Sequence, residues 1–237
     1  LAMRLRSRPV LKADDATPLQ RIREGFVYAF GFAPIRDVLL LLATFSLFAM
    51  SYTTLVPIYA TQILHGDAHT LGWLMAASGV GALMGGLYLS SRKTVVGLGK
   101  VIAIAPALSG AGLIAFSQSR SLWLSLLVAL FIGLGSILLI ASSNTVLQAI
   151  VDEDKRGRVL SLFTMAFLGM TPFGNLLSGS LASQIGVPKT MLIGGTVCLF
   201  ASIAFARHLP ALRRLVRPIY ERAGILPPAN HHTAIEH

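Results

Sequence analysis

The sequence predicts an all-α membrane protein of six transmembrane helices. Three observations carry this. Of 237 residues, 54% are hydrophobic and only 13% charged, about half the charged fraction of a soluble domain. The apolar residues fall in blocks near or above 18 residues, the length that spans a bilayer. Lysines and arginines flank these blocks instead of interrupting them. Helices are required because lipid offers the backbone no hydrogen-bond partners, and the short alternating pattern of an outer-membrane barrel is absent.

The net charge of +10 would suit a nucleic-acid binder if it lined one folded face. Here it brackets apolar segments, so membrane topology explains it and nucleic acid is excluded as a partner. The single cysteine, Cys198, lies inside an apolar block and leaves no disulfide framework.

In chain order, residues 1–36 precede the bundle and are predicted to contain an interfacial amphipathic helix over 17–35. Thr17 is placed to cap that helix, Pro18 suits its first position, and Gln20 completes a capping box. Leu19, Ile22, Phe26 and Phe30 would form its apolar stripe. The bundle is predicted over 37–207, with spans near 38–63, 70–91, 98–117, 121–149, 158–184 and 188–207. Residues 208–237 form a basic tail, predicted to follow the membrane surface to Arg222 and to be unstructured beyond it, around Pro227-Pro228.

Orientation follows from cation bias. Eighteen of the twenty Lys and Arg residues fall in the N-terminal segment, the second and fourth connections and the tail. Only Arg120 and Lys189 lie on the opposite side. Both termini are therefore expected in the cytoplasm. The connection VDEDKRGRV (151–159) is then a cytoplasmic loop.

No Asp, Glu, Lys, Arg or His occurs in the spans away from their ends. Proton relays and ion sites normally use such groups, and no constellation for a hydrolase or metalloenzyme is present. An enzyme, a cofactor and a bound metal are not expected. Uncharged polar residues gather in the first, fourth and fifth spans, which are expected to face a wet cavity or each other. The third and sixth are expected to face lipid. Tyr52, Thr54, Asn144, Thr171 and Asn175 are the candidate cavity residues. Each could instead bond across helices or to its own backbone.

Small residues mark close helix packing. In ASGVGALMGG, Ala77, Gly81 and Gly85 recur every fourth residue; the fifth span has Gly174 and Gly179. Gly81 to Gly86 and Gly174 to Gly179 share one spacing, in the middle helix of each half of the six, which hints at a 3+3 repeat.

The stretches REGFVYAFGFAPIRDVLLLL (23–42), LVPIYATQIL (55–64), LGWLMAASGVGALMGG (71–86) and DEDKRGRVLSLFTMAFLGMTPFGNLLSG (152–179) resemble the C-terminal half of a major facilitator superfamily transporter. More narrowly they resemble the enterobactin-exporter-like group of drug and siderophore efflux proteins. The resemblance covers roughly residues 18–222. It implies six helices forming one half of a twelve-helix fold, residues 1–36 as the cytoplasmic linker between the halves, a partner in the N-terminal six-helix half, and efflux of a small-molecule cargo. The family's Asp-Arg loop corresponds to GGLYLSSRK (85–93), where Ser90 and Ser91 replace the acid. Asp152, Asp154, Arg156, Gly157 and Arg158 would form a cytoplasmic gating loop; a solvated topology anchor is the competing reading. A self-contained six-helix channel, a dimerising permease subunit and a non-transporting scaffold are the rival functions. Membrane lipids are expected partners in every case.

Overall fold

A computed structural model describes residues 26–92, 94–222 and 224. They are helical, with no strand among them, and six helices are long and apolar enough to cross a membrane: α1 (Ala33–Gln62), α2 (Ala68–Ser90), α3 (Leu98–Gln118), α4 (Leu122–Ile150), α5 (Arg156–Ile185) and α6 (Val187–Arg222). Short connections join consecutive helices.

Local chemistry sets the boundaries. Residues 26–31 form a helical turn that breaks at Phe32, and Pro34 then starts α1 at a position where no donor is lost. The expected cap at Thr17, Pro18 and Gln20 lies outside the described residues. So does the tail beyond Arg222, apart from Gly224. At the head of α2, Asp67 accepts a bond from the Thr70 amide at 3.0 Å, and Thr70 Oγ1 lies 3.4 Å from the Asp67 amide, a reciprocal box. Gly97, at φ 90°, turns the chain into α3; that left-handed backbone suits glycine.

Two helices carry π turns, at Ser46–Met50 in α1 and Met165–Gly169 in α5. Hydroxyls take over backbone acceptors near both. Ser51 donates to the Leu47 carbonyl at 2.7 Å and Thr171 to the Phe167 carbonyl at 2.8 Å. Pro172 withdraws a further donor from α5. The π turns touch each other where α1 and α5 cross.

Lipid supplies no hydrophobic drive between helices, so close packing and interhelical hydrogen bonds hold them. The glycine stripe of α2 sinks onto α4: a Cβ at Gly81 would collide with the Leu130 carbonyl, and one at Gly133 with the Ser78 carbonyl. In α3 and α6 the same relation joins Gly110 and Gly195, each against the other's carbonyl at 2.7 and 2.5 Å from where a Cβ would stand. Gly174 of α5 rests on the Leu47 carbonyl of α1. The expected repeat spacing thus has a packing counterpart. Gly81 and Gly174 are pressed to neighbours, while Gly86 and Gly179 are open. Gly179 packs on nothing described.

Two expectations need correction. The third helix does not sit at the periphery: half of its apolar stretch is buried, against 56% in α1. It is the hub of the bundle, wedged between α4 and α6. Its few polar and small residues make this possible. Ser109 donates to the Ile132 carbonyl of α4 at 3.1 Å, and Ser202 of α6 donates to the Ala103 carbonyl. Sparse polarity here marks interhelical bonding, not lipid exposure. The second correction is that the last helix does not stop near 207. It runs unbroken through Pro210 and Pro218 to Arg222, about 54 Å by the α-helical rise, well beyond a hydrocarbon core of about 30 Å. Leu212 and Val216 are buried along its final turns, so packing on the bundle's basic end continues it.

Candidate functional site

Two regions hold the polar groups that sequence singled out. One is the mid-height of α1, α4 and α5. The other is the basic end, where residues 26–31, the α4–α5 connection and the end of α6 converge.

Five buried side-chain polar atoms have no hydrogen-bond partner among the described residues: Ser46 Oγ, Ser142 Oγ, Ser143 Oγ, Arg156 Nε and Asn175 Oδ1. All five lie on α1, α4 or α5. None lies on α2, α3 or α6. Buried polar atoms are normally paired, so these three helices carry hydrogen-bonding capacity that the described residues leave unmet. Arg156 belongs to the basic end of α5; the other four sit within the spans.

The candidate cavity residues divide by environment. Asn175 is half-buried with its carbonyl oxygen unpaired. Asn144, also half-buried, accepts from Gln148 Nε2 at 2.7 Å one turn on. Thr171 is half-buried and bonded to its own helix. Thr54 is exposed and donates to the Ser51 carbonyl at 2.7 Å. Tyr52 is the outlier. It is 8% exposed, and its hydroxyl meets Ser78 Oγ of α2 at 3.0 Å, a bond that ties α1 to α2.

The basic end is knitted by charged and aromatic side chains. Lys155 Nζ stands 4.5 Å from the centre of the Tyr28 ring, within cation–π range. Burial, then the nearby Asp152 and Asp154, push the Tyr28 phenol above its usual value. A cleft of about 640 Å³ opens there between Tyr28, Phe32, Val151, Asp152, Ile219 and Arg222. Gly157 has no atom within 4 Å of a Cβ position, so packing does not demand a glycine. Arg156 opens α5 with its Nε buried, and Arg158 follows two residues on in the same helix.

Two links at this end escaped the sequence reading. Asp37 bonds Arg36 at 3.0 Å and approaches His208 Nδ1 at 3.3 Å, joining the start of α1 to α6. A residue 171 positions away leaves no local signal. Arg92, whose expected acid is replaced by serines, donates instead to the Val96 carbonyl at 3.1 Å and to the Tyr88 hydroxyl at 3.3 Å. Among the described residues no group of three His, Cys, Asp or Glu could hold a metal.

A family model described as transmembrane secretion effector matches residues 6–217. No curated protein and no solved structure gives a match.

Proposed function

Because the chain belongs to the transmembrane secretion effector family of major facilitator transporters, and is therefore a multi-pass membrane transporter, we propose that it is the C-terminal six-helix half of an exporter of small amphipathic organic molecules. It would work by alternating access across the bacterial inner membrane with both termini in the cytoplasm. It would need no cofactor and perform no covalent chemistry. The quoted motifs favour the enterobactin-exporter-like group.

One observation carries the reading. The two least buried spans are also the two least apolar. Only 17% and 22% of the apolar stretches of α2 and α5 are buried, and these have the lowest mean hydropathies of the six. Helices facing lipid on most sides should be the most apolar. The inversion is what a bundle shows when its α2 and α5 faces meet another protein half and a polar pathway. Asn175, half-buried on α5 with its Oδ1 unpaired, supports a pathway on that side. Asn144, Thr171 and Asn175, each half-buried, and the exposed Thr54 would line it, with Tyr52 as a brace between α1 and α2. The absence of mid-span charge suits an amphipathic cargo and puts any proton-carrying carboxylate in the partner half.

The natural gene product should run in membranes at roughly twice the 25.3 kDa of this chain. A natural product of that mass alone would favour the dimerising permease. Deleting the gene should raise retention of an amphipathic fluorescent dye, and the intact gene should reverse it. Unchanged retention would leave the scaffold reading.

A further inference from the structure

The geometry points to a binding site for one anionic phospholipid at the basic end of the bundle, on the side formed by α1, α3 and α6. A cavity of about 580 Å³ opens there, a volume in the range of small-molecule sites, about 300–1,000 Å³. Its walls are the apolar side chains of Val38, Ile102, Phe205, Leu212 and Val216. Leu212 and Val216 line it because α6 continues as one helix through Pro210 to Arg222.

Charge identifies the occupant. Lys100 and Arg213 line the cavity and are exposed; neither has an ion-pair partner among the described residues. Arg217, the third cation, is held by Glu221 at 2.9 Å. No carboxylate is among the lining residues. An apolar slot with two unpaired cations among its lining, at the bundle's basic end, matches an acyl chain joined to a phosphate. The chain's own N-terminal stretch is disfavoured by the same charges: residues 1–25 carry six Lys and Arg against three Asp and Glu. None of the residues with unpaired polar atoms lines this cavity. Cytoplasmic leaflets are anionic and attract such cations.

The test uses the full-length natural transporter in detergent, titrated with phosphatidylglycerol or with phosphatidylcholine of the same chains, and read by native mass spectrometry. Each cation is worth about a fivefold preference, so the anionic lipid should bind about twenty-five-fold more tightly. Lys100→Gln with Arg213→Gln should bring the two lipids within about twofold. Val216→Trp, which fills the slot, should release both while circular dichroism stays unchanged. Equal binding of the two lipids by the unmodified protein would overturn the proposal. So would an undiminished preference in the double variant, or equal competition by the headgroup lacking its chains. Binding seen only after deletion of residues 1–25 would assign the slot to the chain's own segment and also overturn it.

Discussion

Gly174 of α5 lies so close to the Leu47 carbonyl of α1 that any side chain at 174 would displace one helix from the other. The contact sits where the π turn of α1 has already lifted Leu47 out of regular register, with Ser51 bonded to that carbonyl. Gly179, five residues on, has open space. Opposite signs follow for one substitution. Gly174→Ala should destabilise the protein by about 1–3 kcal/mol through overpacking. Gly179→Ala should be neutral or stabilise by up to about 1 kcal/mol, the helix-propensity difference. Thermal unfolding of the full-length transporter in detergent would measure both. Equal loss at the two sites would mean that the α1–α5 crossing is wrongly placed.

Tyr59 is fully buried, and its hydroxyl donates to the Phe116 carbonyl at 2.7 Å, with the Ser119 carbonyl also in reach. Its ring packs 4.7 Å from Phe116. The hydroxyl thus ties α1 to the end of the hub helix, α3. Tyr59→Phe keeps the ring contact and leaves those carbonyls without this donor, at a cost of about 1–3 kcal/mol. Chemical unfolding of the variant, compared with the exposed Tyr88→Phe, isolates the bond. A loss no larger than that of Tyr88→Phe would refute it.

Much of this architecture is legible in the sequence because two of its causes are local. Bilayer thickness fixes span length, and each predicted span overlaps an observed helix. Glycine spacing fixes where helices can approach, as at Gly81 and Gly85. What fails is the inference from how polar a helix is to which way it faces. Ser109 and Ser202 are few, but each finds a carbonyl on another helix, so α3 is buried although nearly apolar. The end of α6 fails for a similar reason. Pro210 and a run of arginines look like a stop locally, while Leu212 and Val216 find buried positions that no local rule reveals. At the candidate site, composition shows that α4 and α5 carry amides and hydroxyls but not what those groups meet. The brace between Tyr52 and Ser78 and the Asp37–His208 link were not readable, because their partners are distant in sequence.

Asn175 offers the sharpest test of the transport pathway. Its Oδ1 is buried and unpaired, so replacement by alanine removes no bond seen within the bundle. Asn175→Ala should change stability by less than about 1 kcal/mol. If the amide meets cargo, dye efflux at equal membrane abundance should fall at least about tenfold, the effect of losing one hydrogen bond of about 1.4 kcal/mol to the substrate. Tyr52→Phe, which loses only its bond to Ser78, should be the reverse case, with slightly lower stability and efflux within about twofold. Full efflux by Asn175→Ala would remove this residue from the pathway.

The start of α2 should respond to acid in one direction only. The Thr70 amide, bonding the Asp67 carboxylate, holds that carboxyl below its usual range. A depressed folded-state value means that the cap contributes fully above the unfolded carboxylate range. It is lost as pH falls through the folded value. Amide exchange at Thr70 and Leu71, corrected for intrinsic rates, should therefore quicken severalfold on going from pH 6 to below 3. Asp67→Ala should exchange quickly at both. The same residue reports topology: Asp67→Cys should react with an impermeant maleimide from outside intact cells, whereas buried Cys198 should not. Reaction only after permeabilisation would invert the assigned orientation.

The gating-loop reading stands on the contact between Lys155 and the Tyr28 ring, since the loop's charges alone would serve equally as an anchor. A topology anchor needs positive charge and is indifferent to the ring. A latch needs the ring's face, because the attraction comes from its quadrupole. Tyr28→Leu should then slow efflux severalfold without altering orientation, while Tyr28→Phe, which keeps the π face, should retain at least about half the rate. The phenol's raised value keeps it protonated at neutral pH, so the phenylalanine comparison is not confounded by charge. Efflux by Tyr28→Leu equal to that of the unmodified transporter, at matched abundance, would reduce VDEDKRGRV to an anchor. A loss shared equally by both variants would point to the hydroxyl, which lies beside the Asp152 backbone, instead of the ring.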